Sequence, residues 1–205
     1  MRSKWKNLDR LILTDCDGVL LDWEWAFNVW VQQHGFTLQP GYQLVYDMGQ
    51  RYGTSKEQIR KLIKIFNESA SIGFLPALRD SVYYVKRLHE EFGFRFHCIT
   101  SLSQDENAQK LREMNLQKIY GATVFERIVC LDTGAHKDDI LEEYEGTGCW
   151  WIEDKPENAL AGWQQGLKPI LVEHGHNMGY DHPDITICKN WVDIFRQVTG
   201  SAYSA

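Results

Sequence analysis

The chain has 205 residues, 43% of them hydrophobic and 24% charged, and a formal net charge of -6. That length supports one well-packed core with room for a small insert, and the composition excludes fibrous and disordered classes. The acidic balance, with Lys and Arg scattered among an excess of acids, speaks against a nucleic-acid partner. Small anionic substrates stay open, because binding them needs only local positive charge.

Cys16, Cys98, Cys130, Cys149 and Cys188 lie far apart with no Cys-x-x-Cys pair. Buried free thiols in a reducing compartment are expected. Residues 1–6 are basic, but Asp15 and Asp17 interrupt the next apolar stretch before it could serve as a signal region. No later segment approaches membrane-spanning length, so a cytoplasmic protein without a membrane partner is expected.

In chain order, the apolar run Leu11-Ile12-Leu13-Thr14 reads as a buried strand that delivers Asp15, Asp17 and Gly18 at its end. Residues 22–74 contain no convincing strand but two or three helical patterns. Trp23, Phe27, Trp30, Val31 and His34 share one helical spacing. A second helix starts at Thr54, with Glu57 three residues on, and turns Ile59, Leu62, Ile63 and Phe66 to one face. Pro76 returns the chain to the core. A helix over residues 80–92 stops at Gly93, and strands are predicted over 94–100, 127–131, 149–152 and 169–172. Between them, Ser103 and Glu106 form a capping box ahead of a helix over 107–114, and the helix over 158–165 ends at Gly166. The alternation predicts a three-layer, Rossmann-like α/β core with a central parallel sheet, built from residues 1–21 and 75–205. Residues 22–74 form a small helical insert after the first strand.

In such sheets ligands gather at the carboxyl ends of the strands. The residues there are Asp15 and Asp17 after the first strand, Thr100 and Ser101 after the second, Lys137 near the third, and Glu153 and Asp154 after the fourth. Residues i and i+2 face the same way beyond a strand, so Asp15 and Asp17 converge, and Gly18 allows the sharp turn. Two carboxylates this close call for a divalent cation or a shared proton between them. Taken alone, the Asp-x-Asp-Gly segment is equally a polar turn closing a strand, and Lys137 a surface charge opening a helix. Together they supply the parts that phosphate-ester hydrolysis requires: a nucleophile, metal ligands, a proton donor and phosphoryl-oxygen donors.

Leu-Thr-Asp-Cys-Asp-Gly-Val-Leu (13–20), Cys-Ile-Thr-Ser (98–101), Lys137 and Ile-Glu-Asp (152–154) resemble, in order and spacing, the four signature motifs of the haloacid dehalogenase superfamily. The resemblance implies a phosphatase with a small helical cap over residues 22–74. Asp15 would be the nucleophile forming an aspartyl-phosphate, and Asp17 the general acid and base; dehalogenases of the superfamily lack that second aspartate. It further implies Mg2+ held by Asp15, Asp154 and the backbone carbonyl of Asp17, with Thr100, Ser101, Gly18 and Lys137 around the phosphoryl group. Glu153 stands where a first aspartate is usual, which leaves three roles open: touching the metal, binding it through water, or supporting Lys137.

The segments 15–23, 74–76, 99–101 and 152–156 are most similar to the 5'(3')-deoxyribonucleotidase group. A nucleoside monophosphate is therefore the expected substrate, with a sugar phosphate or other small ester as the alternative. In that group an aromatic residue at the position of Trp23 lies against the base. The competing reading makes Trp23 the start of a buried stripe that packs the insert onto the core. A silent binding or regulatory module is the reading from another class. His174, His176 and His182 read as a loop at the edge of the site rather than as a zinc centre. The surplus of tryptophans leaves a homodimer face open.

Overall fold

Leu11–Thr14 forms β1, buried along its whole length, at the middle of a six-stranded sheet. The computed structural model describes residues 8–200. Residues 1–6, expected not to form a signal region, lie outside the described residues. The strands β2 (Arg95–Ser101), β3 (Phe125–Leu131), β4 (Trp150–Glu153), β5 (Lys168–Val172) and β6 (Thr186–Cys188) complete the sheet in the order β3-β2-β1-β4-β5-β6. Every pairing is parallel. The order reverses direction between β1 and β4, so the crevice for a ligand opens at the carboxyl ends of these two strands.

Alternation along β1 separates two apolar layers. Ile12 joins a cluster with Val85 and Leu88 of α4 (Ser81–Glu90), Leu116 and Tyr120 of α5 (Glu106–Tyr120), and Ile194 and Phe195 of α8 (Trp191–Thr199). Leu11 and Leu13 face the other way, toward Leu141 of α6 (Asp138–Leu141) and Ala161 of α7 (Pro156–Gln164). The three-layer expectation is met. Gly162 is what lets α7 lie so close to β4, since a Cβ there would stand 2.2 Å from the Trp151 ring. Among the described residues no helix is long and apolar enough to cross a membrane. All five cysteines are free; Cys130 is half-buried and the others are buried.

The strand β6 is absent from the sequence-based reading. It has three residues at the sheet edge, with Ile187 40% exposed, so it carries no buried apolar run. Two helix starts also differ. The side chain of Asp105, not Ser103, caps α5 by accepting from the Ala108 N–H (2.8 Å), while the Ser103 hydroxyl donates to Glu68 (2.9 Å). Ser55, not Thr54, caps α3 (Lys56–Asn67), accepting from the Gln58 N–H. In both places a neighbouring capping residue one or two positions on competes for the same role.

Between β1 and α4 the chain is helical, with α1 (Trp23–Gln32), α2 (Met48–Arg51) and α3. It leaves and re-enters beside the sheet through Leu21, which bridges Ala77. Phe27 and Phe66, both fully buried, bind α1 to α3, and burying a side chain of that size stabilises by about 2–3 kcal/mol.

Candidate active site

Because β1 and β4 are adjacent, the residues just past their ends meet. The Lys137 ammonium, buried at the start of α6, lies 2.8 Å from Asp15 Oδ2 and 2.8 Å from Glu153 Oε1. Lys137 is thus no surface charge. Asp15, Glu153 and Asp154 bring carboxylate oxygens within 4.8 Å of one another, all three side chains buried. Asp15 Oδ1 accepts from the Cys16 N–H (2.6 Å), which turns Oδ2 toward the lysine.

Both oxygens of Glu153 are fully engaged. Oε1 accepts from Lys137 and from the Asn158 amide (2.6 Å), and Oε2 from the backbone N–H groups of Asp154 (2.6 Å) and Lys155 (2.9 Å). Four donors use all the lone-pair directions of a carboxylate. Asp154 is the opposite case: its Oδ1 is buried and meets no hydrogen-bond partner. These contacts set the electrostatics. Burial pushes the Glu153 carboxyl up, but Lys137 and these hydrogen bonds outweigh it and hold the group down to about 2. Burial and then the Glu153 charge push Asp15 up to about 7, and the same two causes, followed by the charge of Asp15, push Asp154 well up. The cluster has more negative charge than its lysines offset, and a buried oxygen without a donor. Such a donor set fits a hard divalent cation.

Gly18 makes the approach of β1 to β4 possible. Its φ is +78°, and a Cβ would stand 2.5 Å from Asp154 Oδ2. The carbonyl of Gly18 accepts from His174 Nε2 (2.7 Å). The Arg79 guanidinium, which can only donate, lies 3.3 Å from His174 Nδ1, so the proton of this imidazole sits on Nε2. Burial holds the His174 pKa below its usual value, in agreement with a neutral ring. Arg79 itself has a left-handed φ of 45°, a conformation its bonds to the carbonyls of Glu173 and Lys189 hold in place. His176 stacks on His174 (5.5 Å, 6°), whereas His182 packs on Trp163, apart from them. Among the described residues no histidine belongs to a metal-binding group.

Asp17 forms a two-point ion pair with Arg112, a fully buried residue of α5 whose Nη1 also donates to Cys16 Sγ (2.7 Å). Arg112 is absent from the sequence-based reading. Its signal is spacing: Ala108, Arg112, Leu116 and Tyr120 form one buried i+4 stripe, and a charge on such a stripe needs a buried partner.

A cleft of about 1010 Å³ opens above this floor, lined by Asp15, Asp17, Gly18, Thr100, Ser101 and Asp154 and roofed by the helical segment. The Thr100 hydroxyl is buried and unpartnered, while that of Ser101 donates to the Ala135 carbonyl (2.9 Å). Trp23 also lines the cleft. Its indole N–H donates to Asn67 (2.9 Å), and its ring stacks on Phe27 (4.7 Å, 10°). One edge of the roof rests on the core where Gly175 meets Gln43; a Cβ on Gly175 would stand 2.2 Å from the Gln43 carbonyl oxygen.

No family model matches the chain. It is 27% identical over 124 residues to an uncharacterized 32.4 kDa protein of the Gp30-rIII intergenic region of Enterobacteria phage T4, a match covering 58% of this chain and 44% of that protein. The match thus spans less than half the length of this curated relative. Solved structures of similar shape include the haloacid dehalogenase-like hydrolase SP0104 of Streptococcus pneumoniae, with TM-score 0.62 and 16% identity, covering 94% of this chain and 99% of that one. The D,D-heptose 1,7-bisphosphate phosphatase of Burkholderia thailandensis gives 0.55 and 12%, covering 94% and 99%. The L-2-haloacid dehalogenase of Xanthobacter autotrophicus gives 0.60 and 10%, covering 94% and 99%. The parallel sheet, its strand order and these likenesses together give the chain the fold of the haloacid dehalogenase-like hydrolases.

Proposed function

We propose that the protein is a Mg2+-dependent phosphomonoesterase that works through an aspartyl-phosphate on Asp15 and takes nucleoside monophosphates. The observation that carries this reading is the buried set of Asp15, Lys137, Glu153 and Asp154, with Asp17 two residues beyond the first. Asp15 Oδ2 attacks phosphorus, and the ester P–O bond breaks as the leaving oxygen takes a proton from Asp17. Asp17 then removes a proton from water, whose oxygen attacks the acyl phosphate and frees Asp15 and inorganic phosphate. To take part, the Asp17 carboxyl must leave its two-point pair with Arg112.

Lys137, oriented by Glu153, and the free hydroxyl of Thr100 hold the phosphoryl oxygens from two sides, with Ser101 steadying the loop behind. Asp15, Asp154 and the carbonyl of Asp17 would hold Mg2+, with His174 fixing the next carbonyl. When bound, the ion offsets the repulsion between a carboxylate nucleophile and an anionic ester. Glu153 serves as support, since its oxygens are already committed. Among hydrolases of this fold, Asp17 favours phosphoryl over haloacid chemistry, because a proton donor for the leaving group is needed there. The cleft is large enough for a nucleotide, with Trp23 at its wall.

The test is phosphate release from a panel of nucleotide and sugar monophosphates, with Mg2+ and with chelator. Mg2+-dependent release is expected, strongest for one nucleotide series, and Asp15→Asn should lower it by roughly 10³-fold or more. Undiminished release by the purified variant would remove Asp15 as the nucleophile.

A further inference from the structure

The helix α3 has two unlike polar faces. Its outer face pairs opposite signs, as Lys61 does with Glu57 (2.7 Å). The face toward the cleft carries Lys56, Arg60 and Lys64 beside Ile59, Ile63 and Asn67, and no acid. Three cations at i, i+4 and i+8 form a straight row about 12 Å long. They are exposed and loosely held. Lys56 is 3.5 Å from Asp47, Lys64 is 3.9 Å from Glu68, and Arg60 meets no carboxylate among the described residues.

Most acids that line the cleft away from the catalytic floor are committed elsewhere, and Asp47 also reaches Lys56 through its second oxygen (3.5 Å). Asp22 accepts from the Trp25 N–H, Glu24 pairs with Arg51, Asp47 accepts from the Gln50 N–H and Asp132 from the Thr133 N–H. An acidic protein thus places a one-sign cationic row over the cleft that contains its candidate nucleophile. Like charges on one helix face repel, a local cost that a bound anion removes.

We infer that Lys56, Arg60 and Lys64 form a second anion site, so that among the phosphate esters taken at Asp15 the preferred one carries a second phosphate, which lies on α3. The inference rests on the phosphomonoesterase reading for the position of the scissile ester. A single phosphate at Asp15 leaves the row unengaged; a second phosphate along the cleft engages it by charge-assisted hydrogen bonds.

Binding and turnover are measured separately, so that the two readings fail separately. Calorimetry on Asp15→Asn with Mg2+ compares a nucleoside 5'-monophosphate with its 3',5'-bisphosphate, and a hexose 6-phosphate with its 1,6-bisphosphate. At least one bisphosphate should bind about tenfold tighter than its partner. Arg60→Gln should shrink that ratio, and Lys56→Gln, Arg60→Gln and Lys64→Gln together should bring it near one. Lys61→Gln, an equal charge change on the outer face, should leave it in place. Equal binding within both pairs, or a preference that survives the triple change, overturns the inference. Absence of turnover by the unchanged protein, with the binding ratio intact, overturns the phosphatase reading alone.

Discussion

The floor and the roof of the cleft are built on opposite principles. On the floor the charges are buried and held by short contacts: Glu153 takes four donors and Lys137 bridges two carboxylates, while Asp154 Oδ1 is left without a donor. On the roof Lys56, Arg60 and Lys64 stand in solvent with slack partners or none. Buried charges hold their geometry because any displacement strands one of them in a medium of low dielectric. Exposed cations keep their hydration and rotamer freedom and adapt to what arrives. On the proposed reading, chemistry is set by the rigid parts and selection by the loose ones.

The sharpest way to break the floor is Glu153→Ala. It strands the Asp154 and Lys155 N–H groups and the Asn158 amide and halves the support of Lys137, a destabilisation of about 3 kcal/mol or more. The thermal midpoint should fall by about 6–12 °C. An unchanged midpoint would mean that the cluster is not the rigid half of the comparison.

Gly18→Ala tests the same floor with less damage to the fold. The added methyl would meet Asp154 at 2.5 Å in a left-handed backbone, so Asp154 must move. A loss of about 10²-fold in kcat is expected, with a stability change of about 1–2 kcal/mol. Retained kcat would show that the position of Asp154 is not critical.

A third prediction uses pH. The folded Asp15 carboxyl stands at about 7 against an ordinary 3.8, so folding favours its protonated form. That contribution is complete below pH 3.8 and is lost as pH rises through about 7. Glu153 acts in another window: held at about 2 against 4.5, it contributes above pH 4.5 and fails only as pH falls toward 2. With chelator present, the thermal midpoint should therefore drop between about pH 4 and pH 7, and added Mg2+ should raise it more at the higher pH. Equal Mg2+ shifts at both values would count against a carboxylate-held cation.

The smallest effect belongs to the roof. Trp23→Ala should raise KM for nucleotides about tenfold, and much less for a small generic phosphate ester, if the ring serves as a base platform. Equal losses on both would assign Trp23 to packing against Phe27 and Phe66, which it also touches.

Much of the floor is legible in the linear chain. Asp15, Asp17, Thr100 and Asp154 each end or adjoin a short apolar strand, Lys137 follows one at the start of a helix, and a parallel sheet gathers the carboxyl ends of its strands along one edge. Arg112 is legible in principle, as a charge on an apolar stripe, but its partner lies 95 residues away. Lys137 has the look of a solvated charge beside Asp138 and Asp139; only its distance to Asp15 and Glu153 reveals a buried bridge. The cationic row on α3 is hidden in the linear order, because residues 56–64 mix Lys, Arg and Glu along the chain and separate by sign only around the helix axis.

The chain's own pattern settles the alternation of strands and helices and the residues that end each strand. Periodicity and turn chemistry act within a few residues, and these features need nothing more. Which ends meet, which acid faces which lysine, and which side of a helix looks into the cleft are settled by tertiary packing. They depend on strand order and on close approaches, such as Gly18 to Asp154 and Gly175 to Gln43, between segments that are remote along the chain.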